Sequence, residues 1–194
     1  MNTLKDWINA KEIRNNILSF NITQYDIKGT YKGMEKWDAY DGHLNRIDGM
    51  TLIRGEEIPD GVFHLCCEII VKHADGTYLL MQRDIRKHLG GMWEATAGGS
   101  ALQGEDPLTY AIRELLEEIG IATNELKEIG RVLHYDHKTY YVEYLCNTDV
   151  DKESIILQEG ETSAYKWVTC SELRNMKRDE IATQRIQNFI EELR

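Results

Sequence analysis

Between Asp106 and Gly120 the apolar residues Leu108, Ile112, Leu115 and Ile119 return every three or four positions. That period puts them on one stripe of an α-helix about 13 residues long, with the stripe facing a core. Asp106 is suited to cap its N-terminus, and Pro107 fits the first position, where a missing N–H costs nothing. Gly120 stands where the helix should stop. Glu114, Glu117 and Glu118 fall on roughly the opposite side. Upstream, residues 62–72 (VFHLCCEIIVK) form a near-continuous apolar run, the pattern of a strand buried on both faces. Asp75-Gly76 then closes a tight hairpin into a second strand over 77–83.

The remaining pattern is less regular. Residues 1–19 read as a loosely amphipathic helix, with Thr3 and Asp6 at capping-box spacing, and 20–33 as a linker. Trp37 and Ala39 lead into a turn at Asp41-Gly42, with a second strand near 50–54 and a further turn at Pro59-Asp60-Gly61. Beyond the central helix, 131–135 and 140–145 alternate as two strands joined through Asp136-His137-Lys138, and 164–168 reads as another. Ile181, Ile186, Phe189, Ile190 and Leu193 mark a closing helix over 179–193. His64, Cys66, Cys67 and Trp93 are expected to be packed residues; Tyr135 and Tyr141 are expected to pack in the core, with stacking on a base the alternative. This order of elements predicts an α/β fold, an α/β/α sandwich on a mixed sheet, with a helical N-terminal extension. The expected division is 1–33 extension and linker, 34–194 catalytic domain.

Composition narrows the class. The chain has 194 residues, 42% hydrophobic and 29% charged, as in a globular domain with a substantial core. No apolar run approaches the roughly 18 residues of a membrane span, and the first residues lack the apolar stretch expected of a secretory signal. With 23 basic and 33 acidic residues the formal net charge is −10, which argues against a nucleic-acid backbone as partner. The four cysteines, Cys66, Cys67, Cys146 and Cys170, form no C-x-x-C pair, which points to a reducing cytoplasm rather than a zinc site or disulfide framework.

Against this background the three glutamates are badly placed for stability. Glu114 and Glu118 repel at i,i+4, and all three lie near the helix C-terminus, where the macrodipole disfavours an anion by about 0.3–1 kcal/mol. A solvated acidic face is the plain alternative. Three acids at the unfavourable end of a helix, preceded by a glycine-rich loop, favour a hard divalent cation held by carboxylate oxygens. Arg83, Arg86, Lys87 and His88 form a basic cluster after a strand, with Arg83 the best placed to meet phosphate oxygens.

Residues 99–121 resemble the Nudix box, whose pattern is Gly, five residues, Glu, seven residues, Arg-Glu-apolar-x-Glu-Glu-x-Gly-apolar. Gly99, Glu105, Arg113, Glu114, Leu115, Glu117, Glu118, Gly120 and Ile121 fill every fixed position. The resemblance implies the Nudix fold and a metal-dependent hydrolase of diphosphates linked to a second group. It implies Mg²⁺ or Mn²⁺ on Glu114 and Glu118, with Glu117 a further ligand or the general base and Glu114 sharing the catalytic role. It implies a metal contact from the Gly98 carbonyl, and Glu105 and Arg113 as residues that orient the ligands. An extra acid from outside the box is expected among Glu143, Glu159 and Glu161.

The segment from Glu35 resembles Nudix proteins related to isopentenyl diphosphate isomerase. Those isomerases carry a catalytic cysteine in the loop before the box helix, whereas this chain has Gly98-Gly99-Ser100 there and no cysteine from 68 through 145. A non-catalytic nucleotide sensor is the second rival, although such descendants usually lose the glutamates kept here. The expected partner is a small-molecule diphosphate, with nucleoside di- and triphosphates, nucleotide sugars and isoprenoid diphosphates all open. The amphipathic N-terminal helix is compatible with a homodimer.

Overall fold

The computed structural model describes residues 35–183, 186, 188, 189 and 191. The N-terminal helix, the linker and the homodimer expectation that rests on them lie outside these residues, as do Ile190 and Leu193.

The frame is a mixed sheet. Strands β3 (His64–His73) and β8 (Thr139–Thr148) lie parallel over their whole length, from the pair His64–Thr139 to His73–Thr148. Parallel neighbours need a long crossover, and that crossover contains the box helix α1 (Pro107–Ile119). Strand β7 (Lys127–His134) pairs antiparallel with the far edge of β8. Strand β4 (Tyr78–Arg83) meets β3 only at the pair Lys72–Tyr78, then diverges to pair with β9 (Thr162–Val168) and β5 (Trp93–Glu94). The edge of β3 released in this way is taken by β6 (Thr96–Ala97). The splay between β3 and β4 opens the groove that carries the candidate site.

Alternation along β3 assigns the layers. Leu65, Cys67, Ile69 and Val71 pack with Tyr110, Ala111, Leu115 and Ile119 of α1. Ile70 packs on the other face with Tyr78, Leu80, Val168, Ile181, Ile186 and Leu173, the last from α2 (Cys170–Asn175). Helical segments on both faces of one mixed sheet make the α/β/α sandwich. Strands β1 (Lys36–Tyr40) and β2 (Arg46–Ile53) form a separate two-stranded sheet around Trp37, Ala39, Leu52 and Val62. His64 is a packed strand residue as expected: its ring stacks on Trp37 at 4.3 Å and meets the Thr139 hydroxyl at 2.8 Å. Burial lowers its pKa to about 4, so the ring is neutral at physiological pH. Among the described residues no helix is long and apolar enough to cross a membrane.

Several boundaries differ from the pattern. The buried face of α1 is turned toward Tyr110 and Ala111, and Leu108 is left 39% exposed. One apolar stripe cannot distinguish a small Ala or a tyrosine with a bonded hydroxyl from a surface position. Tyr135 lies in the β7–β8 turn, 71% exposed, with an edge contact to Phe63, so it is not a core residue. Strand β7 starts four residues earlier than the alternation indicates, because a bulge between Glu128 and Gly130 breaks the period. The closing helix also starts later than residue 179. Arg178–Glu180 is a 3-10 turn, and Ile181 forms a parallel bridge to Trp93.

Candidate active site

The caps of α1 form as the sequence requires. Asp106 accepts from the N–H groups of Leu108 and Thr109, and Gly120 turns left-handed at φ 74°. The helix C-terminus is then tied down by a neighbouring segment. The Ile156 N–H donates to the Ile119 carbonyl and the Gln158 N–H to the Glu118 carbonyl. Two carbonyls that a helix end leaves unpaired are thereby satisfied, and residues 158–161 are brought to the mouth of the groove.

Opposite the helix, Gly98 and Gly99 pass close over β3. A Cβ on Gly98 would lie 2.1 Å from the Cys67 carbonyl oxygen, and its φ of 150° lies outside the usual range of L side chains. The Tyr110 hydroxyl accepts from the Gly99 N–H at 2.9 Å and the Cys67 N–H at 3.3 Å, fastening this loop to helix and sheet together. Tyr110→Phe is expected to lower the unfolding free energy by about 1–3 kcal/mol, because the Gly99 N–H loses its acceptor and the Cys67 N–H keeps only the Gly99 carbonyl. Urea denaturation measures it, and an unchanged midpoint would contradict this role for the hydroxyl.

The acidic face of α1 is not solvated. Glu114 and Glu117 retain only 14% and 13% of their side-chain exposure. Arg113 binds Glu105 through a two-pronged pair, Nε to Oε1 at 2.7 Å and Nη2 to Oε2 at 3.0 Å. Its Nη1 donates to Glu114 at 2.8 Å and to Glu117 at 2.9 Å. Glu105 also accepts from the Leu102 N–H at 2.8 Å, so the loop holds the arginine that holds the glutamates. Glu118 stands apart and accepts from the Gly98 N–H at 3.0 Å.

Burial pushes the Glu114 carboxyl up to about 7, against the lowering influence of Arg113. Burial and the Glu114 charge raise Glu118 well above the ordinary carboxylate range. Because Arg113 draws Glu114 and Glu117 while Gly98 holds Glu118, no three acids converge on one point among the described residues. The donors are nevertheless all oxygens facing one cavity of about 260 Å³, the chemistry that suits a hard divalent ion.

The basic cluster divides. Arg83 pairs with Glu94 at 2.6 Å and donates to the His88 carbonyl, while still lining the groove. Arg86 turns to Asp84. Lys87 lies between the glutamates and Glu161, with which it forms an ion pair. Of the three acids considered outside the box, only Glu161 shares the cavity of Glu114, Glu117 and Glu118. Glu159 is exposed beside Arg86. Glu143 lies on β8 in a different cavity. Arg54, from the end of β2, also reaches the glutamate cavity and pairs with Glu35 at 2.6 Å. Neither Arg54 nor Glu94 belongs to a motif. Only the pairing of strands far apart in sequence brings them here.

The model of the NUDIX domain family matches residues 63–192. The chain belongs to the Nudix family. An uncharacterized Nudix hydrolase of Listeria innocua is 30% identical over 146 residues, 74% of this chain and 85% of its own length. An isopentenyl-diphosphate Delta-isomerase of Streptomyces avermitilis is 33% identical over 95 residues, 46% of this chain and 48% of the isomerase. In structure, DR0079 of Deinococcus radiodurans matches with a TM-score of 0.64 at 14% identity, over 81% of this chain and 98% of that one, a likeness of fold. The residues described above from Gly99 to Ile121 are thus the Nudix box of this protein, and the Arg113 network is built entirely within it.

Proposed function

We propose that this Nudix protein is a Mg²⁺- or Mn²⁺-dependent diphosphohydrolase that cleaves the diphosphate linkage of a small organic diphosphate. The observation that carries the reading is the set of carboxylates gathered in one groove, Glu114 and Glu118 above all, whose pKa values are raised by burial and, for each, by a neighbouring glutamate. Glu114, Glu117, Glu118 and the Gly98 carbonyl are the donors this reading assigns to the ion. When bound, such an ion neutralises phosphate charge and makes a water more acidic. Arg113 and Glu105 orient the glutamates, as partners behind metal ligands do. Arg83, Lys87 and Arg54 offer cations along the groove to phosphate oxygens. Glu117 or Glu114 accepts the proton of the attacking water, and Glu161 is the additional acid within reach. Thiols packed as small apolar groups, Cys67 and Cys146, fit a reducing cytoplasm.

The test is release of phosphate, pyrophosphate or nucleoside monophosphate from a diphosphate library, with Mg²⁺ and with a chelator, for wild type and Glu117→Gln. Cleavage of one class that needs the metal, and falls by orders of magnitude in the variant, is the expected result. Turnover that survives both the chelator and the substitution would refute the proposal.

Isomerisation of isopentenyl diphosphate is the second reading. The Streptomyces relative favours it, as does Cys66, whose Sγ lines the groove 3.5 Å from Ser100 Oγ. Double-bond isomerisation by wild type, lost in Cys66→Ser, would move the assignment there.

A further inference from the structure

The two-stranded sheet of β1 and β2 lies outside residues 63–192, which match the family model, yet it is built into the candidate site. Its apolar side seats against the start of β3. Trp37 stacks on His64 at 4.3 Å, and Tyr40 and Phe63 exchange two backbone hydrogen bonds of 2.9 Å. Its polar side grips the loop between Gly99 and α1. Asp38 and Thr51 are cross-strand partners, so their side chains stand on one face. Asp38 Oδ2 accepts from the Gly104 N–H at 2.8 Å, and Thr51 Oγ1 accepts from Gln103 Nε2 at 2.8 Å. The Gln103 N–H adds a bond to the Lys36 carbonyl at 2.9 Å.

These bonds matter to the glutamates because Gly104 immediately precedes Glu105. Residues 102–105 form a tight turn, in which the Glu105 N–H donates to the Leu102 carbonyl at 3.1 Å and Gly104 takes a left-handed φ of 87°. A glycine has more backbone freedom to lose than any other residue, so bonds from outside the turn decide its orientation. Asp38 supplies one from a position only 9% exposed, with Arg46 at 3.7 Å as its ionic neighbour. A carboxylate is also a stronger acceptor for an N–H than a neutral group. The turn presents Glu105 to Arg113, and Arg113 reaches Glu114 and Glu117. A chain of bonds thus runs from Asp38, through the Gly104 backbone, Glu105 and Arg113, to two of the carboxylates assigned to the ion.

We infer that Asp38 is a positioning residue of the active site, which through the Gly104 N–H fixes the turn that aims Glu105 and Arg113 at the glutamates. The β1–β2 sheet is then a working part of the site. Glu35 and Arg54, at the ends of the same sheet, both line the glutamate cavity. The inference rests on the reading that these glutamates hold a divalent ion, and it concerns how firmly they are aimed rather than what is cleaved.

The experiment is Mn²⁺ binding to the full chain, followed by loss of the free-ion paramagnetic resonance signal, for wild type, Asp38→Ala, Asp38→Asn and Val62→Ala. Melting temperatures, and cleavage of whichever diphosphate the library identifies, are measured beside it. Asp38→Ala should bind Mn²⁺ roughly tenfold more weakly, the low end of what removing a partner behind a metal ligand costs. Its kcat should fall while KM stays within about twofold, since uniform substrate binding is untouched. Asp38→Asn keeps an oxygen for the Gly104 N–H and should recover most of the loss. Val62→Ala weakens the apolar cluster of the same sheet without touching the loop. It should lower the melting temperature and leave Mn²⁺ affinity as in wild type.

The inference is overturned if folded Asp38→Ala binds Mn²⁺ as wild type does, if Asp38→Asn loses as much affinity as Asp38→Ala, or if Val62→Ala does. Should Asp38→Ala not fold, Asp38→Ser, whose shorter side chain withdraws the acceptor, is judged by the same outcomes. Wild type that binds Mn²⁺ but cleaves nothing counts against the hydrolase reading alone. Cleavage with an Mn²⁺ affinity indifferent to Asp38 counts against the positioning role alone, and wild type that binds no Mn²⁺ removes the basis of both.

Discussion

Glu118→Gln is expected to abolish most of the hydrolysis and, in the absence of metal, to make the protein more stable at pH 8. The two effects share one cause. Glu118 is sunk in the groove wall, where burial and the Glu114 charge raise its pKa well above the usual carboxylate range. A group whose folded pKa is raised contributes its full share of stability below the unfolded value and loses it as pH rises through the folded one. Glu114 gives the lower part of that window, from about 4.5 to about 7. Wild-type protein in a chelator should therefore weaken across this range, and Glu118→Gln should flatten the profile.

Glutamine keeps an oxygen to accept from the Gly98 N–H, so only the charge is lost. A gain of about 1–3 kcal/mol at pH 8 is expected from removing a buried, poorly paired charge. Turnover should fall by roughly two to three powers of ten, the scale of losing one preorganised charge-stabilising group. Denaturant midpoints at pH 5 and pH 8, measured beside activity, separate the two. If the variant proves weaker than wild type at pH 8, the carboxylate is not a source of strain in the metal-free fold.

Arg113→Met should act in the opposite direction. Arg113 is the shared cation for Glu105, Glu114 and Glu117, and these contacts raise its pKa above an already high value. Methionine preserves the apolar stem and removes all the donors. Three half-buried carboxylates then lose their common partner, and breaking a buried ionic network by taking out one member costs about 3–5 kcal/mol. Saturating Mg²⁺ should recover part of this, since under the proposal the ion brings positive charge to Glu114 and Glu117 by another route. Thermal unfolding with and without Mg²⁺ provides the comparison. A variant as stable as wild type would show that the network contributes little. A stability deficit that Mg²⁺ leaves untouched would argue against metal at these glutamates.

Much of the site was legible because its geometry is local. Asp106, Pro107 and Gly120 set the ends of one helix, and helical spacing alone fixes that Arg113 reaches Glu117 and that Glu114 and Glu118 lie a turn apart. Fixed spacing also placed Glu105 and Gly99 close to that helix. The same logic found β3, its hairpin with β4, and the strand pair after the helix. It failed where the chemistry depends on contacts distant in sequence. Tyr110 looked like one more helix residue, yet its hydroxyl fastens the glycine loop. Leu108 counted toward a buried stripe, yet it is left 39% exposed. Glu143, Glu159 and Glu161 were equivalent as acids in the chain, and only the Ile156 and Gln158 bonds to the end of α1 bring Glu161 to the groove.

By itself, then, the sequence determined the Nudix box, the caps and spacing of its helix, the mixed α/β layering and the family, because each follows from residues within about two turns or one hairpin of each other. The tertiary structure alone decided which way that helix faces, that its acids are buried rather than solvated, and that Arg54, Glu94 and Lys87 line the groove with them. It also decided that Glu68 meets Glu143 across two parallel strands. Parallel pairing joins β3 to residues 75 positions away and the splay of β3 from β4 lets β3 meet Thr96 and Ala97, 26 and 28 positions away, and no local period encodes such a register.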